Sequence, residues 1–320
     1  MKAVLMVAHG SRDQEANDQV RRVIHNLNHS LDPALLLELC FLELEAPGID
    51  QGIANCVAKG AEEVALIPIM LLQASHSKIH IPNAIDQAKK KYPNIHFSYG
   101  RPIGIHPAAL EICQTRLEEC GEELRNPDPK AAVLVVGRGG SDPDANSDLY
   151  KISRLLWEQL DYKWVETAFF AVTDPSVEEG INRLIKLEAK KIIILPYFLF
   201  TGVLIKELER MVEQLKIKYP DCQFKLAGFF GFHPNLEVIL KERINEALKE
   251  DVRMNCDTCQ YRFEASKHTG HHHHHHEPGH HHDHHHNTEN HHDRDDHHCH
   301  DHCQHGESQH HDGHDGQKGI

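Results

Sequence analysis

The sequence predicts an α/β protein: two similar parallel-sheet halves from an internal duplication, facing each other across a cleft, with a disordered His-rich tail behind them. The first observation is a repeat. Val4-Leu5-Met6-Val7-Ala8-His9-Gly10-Ser11-Arg12-Asp13 returns as Val133-Leu134-Val135-Val136-Gly137-Arg138-Gly139-Gly140-Ser141-Asp142, and Ala16-Asn17 returns as Ala145-Asn146, a shift of 129 residues. It continues through Pro47 and Pro175, Gly52 and Gly180, Pro68 and Pro196, and His106-Pro107 and His233-Pro234. The second observation is that short apolar runs alternate with longer stretches of helical period, the rhythm of βαβ units. The third is a break in composition near residue 250: of 31 histidines, only eight precede it.

Strands are expected near 3–8, 35–42, 63–69 and 95–99, and again near 131–136, 164–171, 191–198 and 223–228, with helices in the intervals. Runs such as Ile192-Ile193-Ile194-Leu195 lack the polar alternation of a half-exposed strand, which suits a parallel sheet covered on both faces. Two prolines within Arg125 to Lys130 mark a linker. The expected organisation is therefore 1–125, an N-terminal half carrying a metal site; 130–250, a C-terminal half with a degenerate site; and 251–320, a CxxC segment and His-rich tail. One long doubly wound sheet is the competing architecture.

Composition limits the function classes. With 320 residues and 40% hydrophobic content there is ample material for a core, and a net charge of −14 offers no basic stripe for nucleic acid. No apolar run is long enough to cross a bilayer, and Ala3 to Ala8 is too short for a signal-peptide core. The expectation is a cytoplasmic protein without nucleic-acid or membrane partners. Five of the nine cysteines are scattered, while Cys256/Cys259 and Cys299/Cys303 form close pairs, a usage that in a reducing compartment points to metal or cluster chemistry.

In open α/β sheets, ligands bind beyond the carboxyl ends of the strands. Those positions in the first half hold His9, Glu43 and His76; in the second they hold Arg138, Ala171 and Leu204. Two imidazoles and a carboxylate suit a borderline divalent ion, so one site per chain is expected, on the N-terminal side of the cleft. Each residue alone could be a turn, strand-end or helix-cap residue, but their coincidence at one edge favours a ligand set. His80, four residues past His76, reads as a surface residue or a fourth ligand. His106 and His233, each before a proline in both halves, read as structural.

His9-Gly10-Ser11-Arg12, Phe41-Leu42-Glu43 ahead of Pro47, and the loop Pro68 to His76 resemble the class II tetrapyrrole chelatases, in particular the long-form sirohydrochlorin cobaltochelatases of the CbiX type. The likeness runs through residues 1 to about 250, and a His-rich tail is also typical of the long forms. It implies insertion of Co2+ into sirohydrochlorin in anaerobic cobalamin biosynthesis. The implied catalytic and metal-binding residues are His9, Glu43 and His76. Leu71, Leu72, Gln73, Ala74 and Ser75 would line the macrocycle pocket, with Glu45 close by. Where the family usually has a glycine two residues before the loop histidine, this chain has Ala74, whereas the second half keeps Gly202. Arg12, Lys78, Arg101 and Arg138 are candidate partners for the eight carboxylates of sirohydrochlorin, or solvated charges.

After Phe263 the chain has almost no aliphatic residue until Ile320, so it cannot bury enough surface to order itself without metal. His271 to His276 has the look of a purification tag, but seventeen further histidines interleaved with Asp surround it, which suits a store or delivery arm for Co2+ or Ni2+. Cys256 and Cys259 supply two thiolates where a cluster or structural zinc needs four ligands. The resemblance implies a 4Fe-4S centre there; the remaining ligands could come from Cys299 and Cys303 or from a second subunit, the latter case alone requiring a homodimer, and a redox dithiol or a tail zinc site are the alternatives. Competing functions are a sirohydrochlorin ferrochelatase and a cobalt or nickel storage or metallochaperone protein. A phosphohistidine reading of His9-Gly10 carries little weight, because Ala8 stands where that chemistry wants an arginine.

Overall fold

The computed structural model describes residues 1–72 and 80–249. The elements follow in strict alternation: β1 (Lys2–Ala8), α1 (Gln14–His29), β2 (Leu36–Phe41), α2 (Ile49–Ala58), β3 (Glu63–Ile69), α3 (Ile81–Lys91), β4 (His96–Tyr99) and α4 (Pro107–Glu119), then β5 (Ala131–Gly137), α5 (Pro143–Trp157), β6 (Trp164–Phe169), α6 (Val177–Lys186), β7 (Lys191–Pro196), α7 (Val203–Lys218), β8 (Gln223–Leu226) and α8 (Pro234–Leu248). They form two four-stranded parallel sheets, ordered β2-β1-β3-β4 and β6-β5-β7-β8. The two-sheet architecture therefore holds against the single long sheet. Each strand expected from the apolar runs is present, with ends shifted by two residues or fewer. No helix among the described residues is long and apolar enough to cross a membrane.

Period-two burial explains the absence of polar alternation. On β1, Ala3, Leu5 and Val7 enter a core shared with α2 and α3, while Val4, Met6 and Ala8 enter a central core. On β5, Ala132, Leu134 and Val136 face α6 and α7, while Ala131, Val133 and Val135 join the central core. Both faces of both sheets are thus covered. Helix starts are written in the sequence: Asp13 and Asp142 cap α1 and α5, and Ser176 with Glu179 forms a capping box on α6. His106 and His233 cap α4 and α8 through Nδ1, each followed by a proline in the first turn, which gives these two histidines the structural part expected of them.

The fourth helix of each half is exchanged. α8 packs on β3, β4 and α1 of the first half, and α4 packs on β7 and α5 of the second. Gly100 permits this approach, since a Cβ there would meet Ile67 Cδ1 at 2.5 Å and Ala247 Cβ at 3.2 Å. Two arginines fasten the exchange. Arg116 of α4 donates to the carbonyls of Phe229 (2.6 Å) and Phe230 (2.6 Å), and Arg243 of α8 donates to those of Pro102 (2.9 Å) and Ile103 (2.6 Å). The central core therefore runs without interruption from one sheet to the other.

Candidate functional site

Strand order β2-β1-β3-β4 sends the chain from β1 outward to β2 and back across to β3, so a crevice opens beyond the carboxyl end of β1. His9 is the first residue past that end. The β1–β2 ladder extends beyond the strands, with Leu42 N–H donating to Ala8 O (2.9 Å) and Glu43 N–H to His9 O (3.1 Å). This pairing puts the two side chains side by side: His9 Nδ1 lies 3.5 Å from Glu43 Oε1, with 28% of the His9 side chain and 49% of the Glu43 side chain exposed. Gly10, at φ +89°, is what lets the loops touch, because a Cβ at this position would fall 1.8 Å from Glu43 O.

The second half repeats the frame without the chemistry. Phe170 N–H donates to Gly137 O (2.8 Å) and Ala171 N–H to Arg138 O (2.9 Å), and Gly139, at φ +78°, would carry a Cβ 2.2 Å from Ala171 O. Arg138, Ala171 and Leu204 occupy the positions of His9, Glu43 and His76. Gly202 adopts φ 152° at the start of α7, a region that glycine accepts and alanine resists.

Between the halves lies a cavity of about 720 Å³, lined from the first by His9, Glu43, Leu71 and Leu72 and from the second by Arg138, Phe198 and Leu204, among others. Arg12 also lines it, and both Arg12 and Arg138 are exposed. Its rim is tied across the halves: Lys206 of α7 pairs with Asp13 (2.7 Å) and Glu15 (3.1 Å), and Thr201 N–H donates to Gln19 Oε1 (3.1 Å). The shared hydrogen bond holds Asp13 below, and Lys206 above, its ordinary pKa.

Other expected residues fall elsewhere. Glu45 accepts from Asn17 Nδ2 (2.8 Å) and Ala46 N–H (3.1 Å) and pairs with Arg21 (3.0 Å). Its pKa is lowered, first by the Ala46 N–H and then by Arg21 and Asn17. Both oxygens are committed within the protein. Arg101 is bound in a bidentate pair to Glu246 of α8 (2.8 and 2.8 Å) and does not line the cavity; it belongs to the helix exchange rather than to a carboxylate ligand. His80 is exposed at the start of α3.

His76, Gln73, Ala74, Ser75 and Lys78 lie outside the described residues, as do Cys256, Cys259, Cys299, Cys303 and the His-rich tail. Among the described residues no three His, Cys, Asp or Glu side chains gather into a metal-binding group. Burial pushes the Cys40, Cys56 and Cys113 thiols up, the last two to about 12.

One residue that shapes the loop after His9 was visible only as a repeat. Asn17 is buried, accepts from Ser11 N–H (2.9 Å), donates to Ser11 O (2.9 Å) and holds Glu45, so it clamps the loop that follows His9. Asn146 repeats the clamp on Gly140 O (2.7 Å).

Comparison with known proteins identifies relatives of the whole two-half fold. A sirohydrochlorin cobaltochelatase of Priestia megaterium is 62% identical over 271 residues, covering 85% of this chain and 88% of that protein. A sirohydrochlorin ferrochelatase of the same organism is 37% identical over 248 residues, covering 78% and 91%. The structure of SirB from Bacillus subtilis with Fe3+ superposes with a TM-score of 0.70 at 34% identity, covering 78% of this chain and 97% of that one. The CbiX family model matches residues 3–120 and again 132–247, once per half, and the chain belongs to the CbiX family.

Proposed function

We propose that the chain is a sirohydrochlorin cobaltochelatase, inserting Co2+ into sirohydrochlorin on the route to cobalamin. The observation that carries the reading is the pairing of His9 with Glu43 at the mouth of a two-walled cavity, in a chain 62% identical to a protein of that name. The ferrochelatase reading rests on relatives of lower identity, and cobalt is preferred on that ground.

Insertion needs ligands that take the aquated ion and give it up, and a base for two pyrrolic protons. A neutral His9 whose Nδ1–H faces Glu43 carries its lone pair on Nε2, the nitrogen that binds metal or accepts a proton. Glu43 stabilises the imidazolium once formed. His76 completes the ligand set, and the loop Leu71 to Ser75 lines the macrocycle pocket. Arg12 and Arg138 meet the substrate's carboxylates from opposite walls. The decisive experiment incubates the purified protein with sirohydrochlorin and either Co2+ or Fe2+ and follows the macrocycle spectrum. Faster insertion of Co2+ is expected, and no acceleration with either metal rejects the chelatase reading.

The tail is read as a Co2+ or Ni2+ store, supported by its composition; its deletion is expected to slow turnover at limiting cobalt and leave it intact at saturating cobalt. A 4Fe-4S cluster would draw on Cys256 and Cys259, with Cys299 and Cys303 or a second copy of the chain completing the four ligands. Iron and sulfide analysis of anaerobically purified protein tests it. The protein acts in the cytoplasm under this reading.

A further inference from the structure

Among the described residues, four that are not glycine have positive φ: Leu44 (64°), Asn126 (55°), Val172 (71°) and Glu188 (67°). Asn126 and Glu188 are polar residues exposed at bends of the chain, where such conformations are common. Leu44 and Val172 are different. Both are apolar, both are exposed, at 54% and 77%, and both line the cavity.

A β-branched residue at positive φ is an outlier, because its side chain crowds the carbonyl that follows. At Val172 the turn is tighter still: Thr173 N–H returns to Ala171 O at 2.9 Å, closing a γ-turn of the rare positive-φ form around it. Asparagine or glycine would sit there more easily, and neither would leave an aliphatic side chain in water. Two unfavourable features, strain and exposure, thus coincide at one position and recur in the other half. Leu44 follows Glu43 as Val172 follows Ala171, so each stands on one lip of the cleft. Strain held at a cleft mouth is a mark of ligand clamps.

The geometry points to Leu44 and Val172 as a matched pair of apolar contacts that grip the macrocycle from opposite lips. This inference rests on the chelatase reading and adds positioning residues to it. Their ligand is a planar ring with apolar faces and a rim of carboxylates: the faces take the aliphatic contacts, and Arg12 and Arg138, exposed on the same cavity, take the rim. On binding, both side chains leave water. The grip also keeps the centre of the ring beside His9 and Glu43 rather than letting it slide along the cleft.

The test uses the full chain with Leu44→Asn, Val172→Asn and Val172→Gly substitutions, each compatible with the local backbone, and Val172→Leu as the apolar control. Thermal melts of the asparagine and glycine variants should equal or exceed that of the parent, since strain is relieved. Fluorescence titration with metal-free sirohydrochlorin should show about tenfold weaker binding for Val172→Asn and Val172→Gly, the loss of one buried aliphatic side chain. KM for the macrocycle should rise with it, KM for Co2+ should not move, and Val172→Leu should bind the ring like the parent. Variants that bind sirohydrochlorin as tightly as the parent overturn the clamp while leaving the chelatase reading standing. A parent protein that neither binds the ring nor inserts cobalt overturns both.

Discussion

Gly10 and Glu43 are in backbone contact that leaves no room for a side chain: a Cβ on Gly10 would fall 1.8 Å from the Glu43 carbonyl oxygen. The glycine therefore sets the distance between His9 and its carboxylate. Gly10→Ala is expected to cost at least about 1–2 kcal/mol from the positive φ alone and to abolish insertion by parting Glu43 from His9. Gly139→Ala, in the matching loop beside Ala171, is expected to lower the melting temperature comparably and to retain more activity. Melts and cobalt-insertion rates of the two variants, compared side by side, check this.

His9→Ala should slow insertion by at least about 100-fold, the usual scale for a lost general base, and a His9→Ala, His76→Ala double variant should be inactive. Glu43→Gln keeps the shape and removes the charge 3.5 Å from Nδ1, so its main effect should be on the acid limb of the rate profile. Because imidazole binds metal only when neutral, the parent rate should fall as acid protonates it. Rates measured from pH 5 to 8 decide the point; retained activity in the double variant would remove His9 and His76 from the mechanism.

Arg243 is 1% exposed, and burial brings its pKa down to about 10, so it is still charged at neutral pH. Its guanidinium satisfies the Pro102 and Ile103 carbonyls and pairs with Glu246 (3.0 Å). Arg243→Met should destabilise the protein by about 3 kcal/mol, since it strands two buried carbonyls and leaves Glu246 to Arg101 alone. Arg116→Met, whose parent side chain is 15% exposed, should cost less. Chemical denaturation of both variants is the measurement.

His233 caps α8 only while Nδ1 can accept from Asn235 N–H. Burial, followed by the Arg116 guanidinium, lowers its pKa from 6.5, so the unfolded chain takes up the proton first. The contribution is present above pH 6.5 and is lost as pH falls below it. His233→Asn replaces the imidazole with a non-titrating cap, and should flatten the fall in melting temperature between pH 7 and 5.

Much of this was legible in the sequence because it is local or periodic. The runs at β1 and β5 announce buried strands, Asp13 and Asp142 announce helix starts, and the 129-residue repeat announces two matching frames. His9 and Glu43 could be placed at one edge because strand ends in a parallel sheet share one side. The exchange of α4 and α8 was not legible, since Leu236, Ile239 and Ile244 form an apolar stripe that would suit either sheet. Arg101 and Glu45 show the same limit for charges: composition reveals a guanidinium or a carboxylate, but not that Glu246 or Arg21 has already engaged it. Leu44 and Val172 were invisible for another reason, because positive φ in a leucine or valine runs against every local preference.

The exchanged α8 also governs how the protein can be made. It is the last described helix, yet Leu236, Ile239, Leu240 and Ile244 complete a core that includes Ala65 and Ile67 of β3. As the chain leaves the ribosome, the inner face of the first sheet must wait for residues 234–248 to cover it. A nascent chain therefore shows uncovered apolar strands through most of its synthesis, a state that invites holding chaperones. A truncation that removes α8 strips the first half as well, and the sheet that carries His9 is covered only once residues 234–248 have been made.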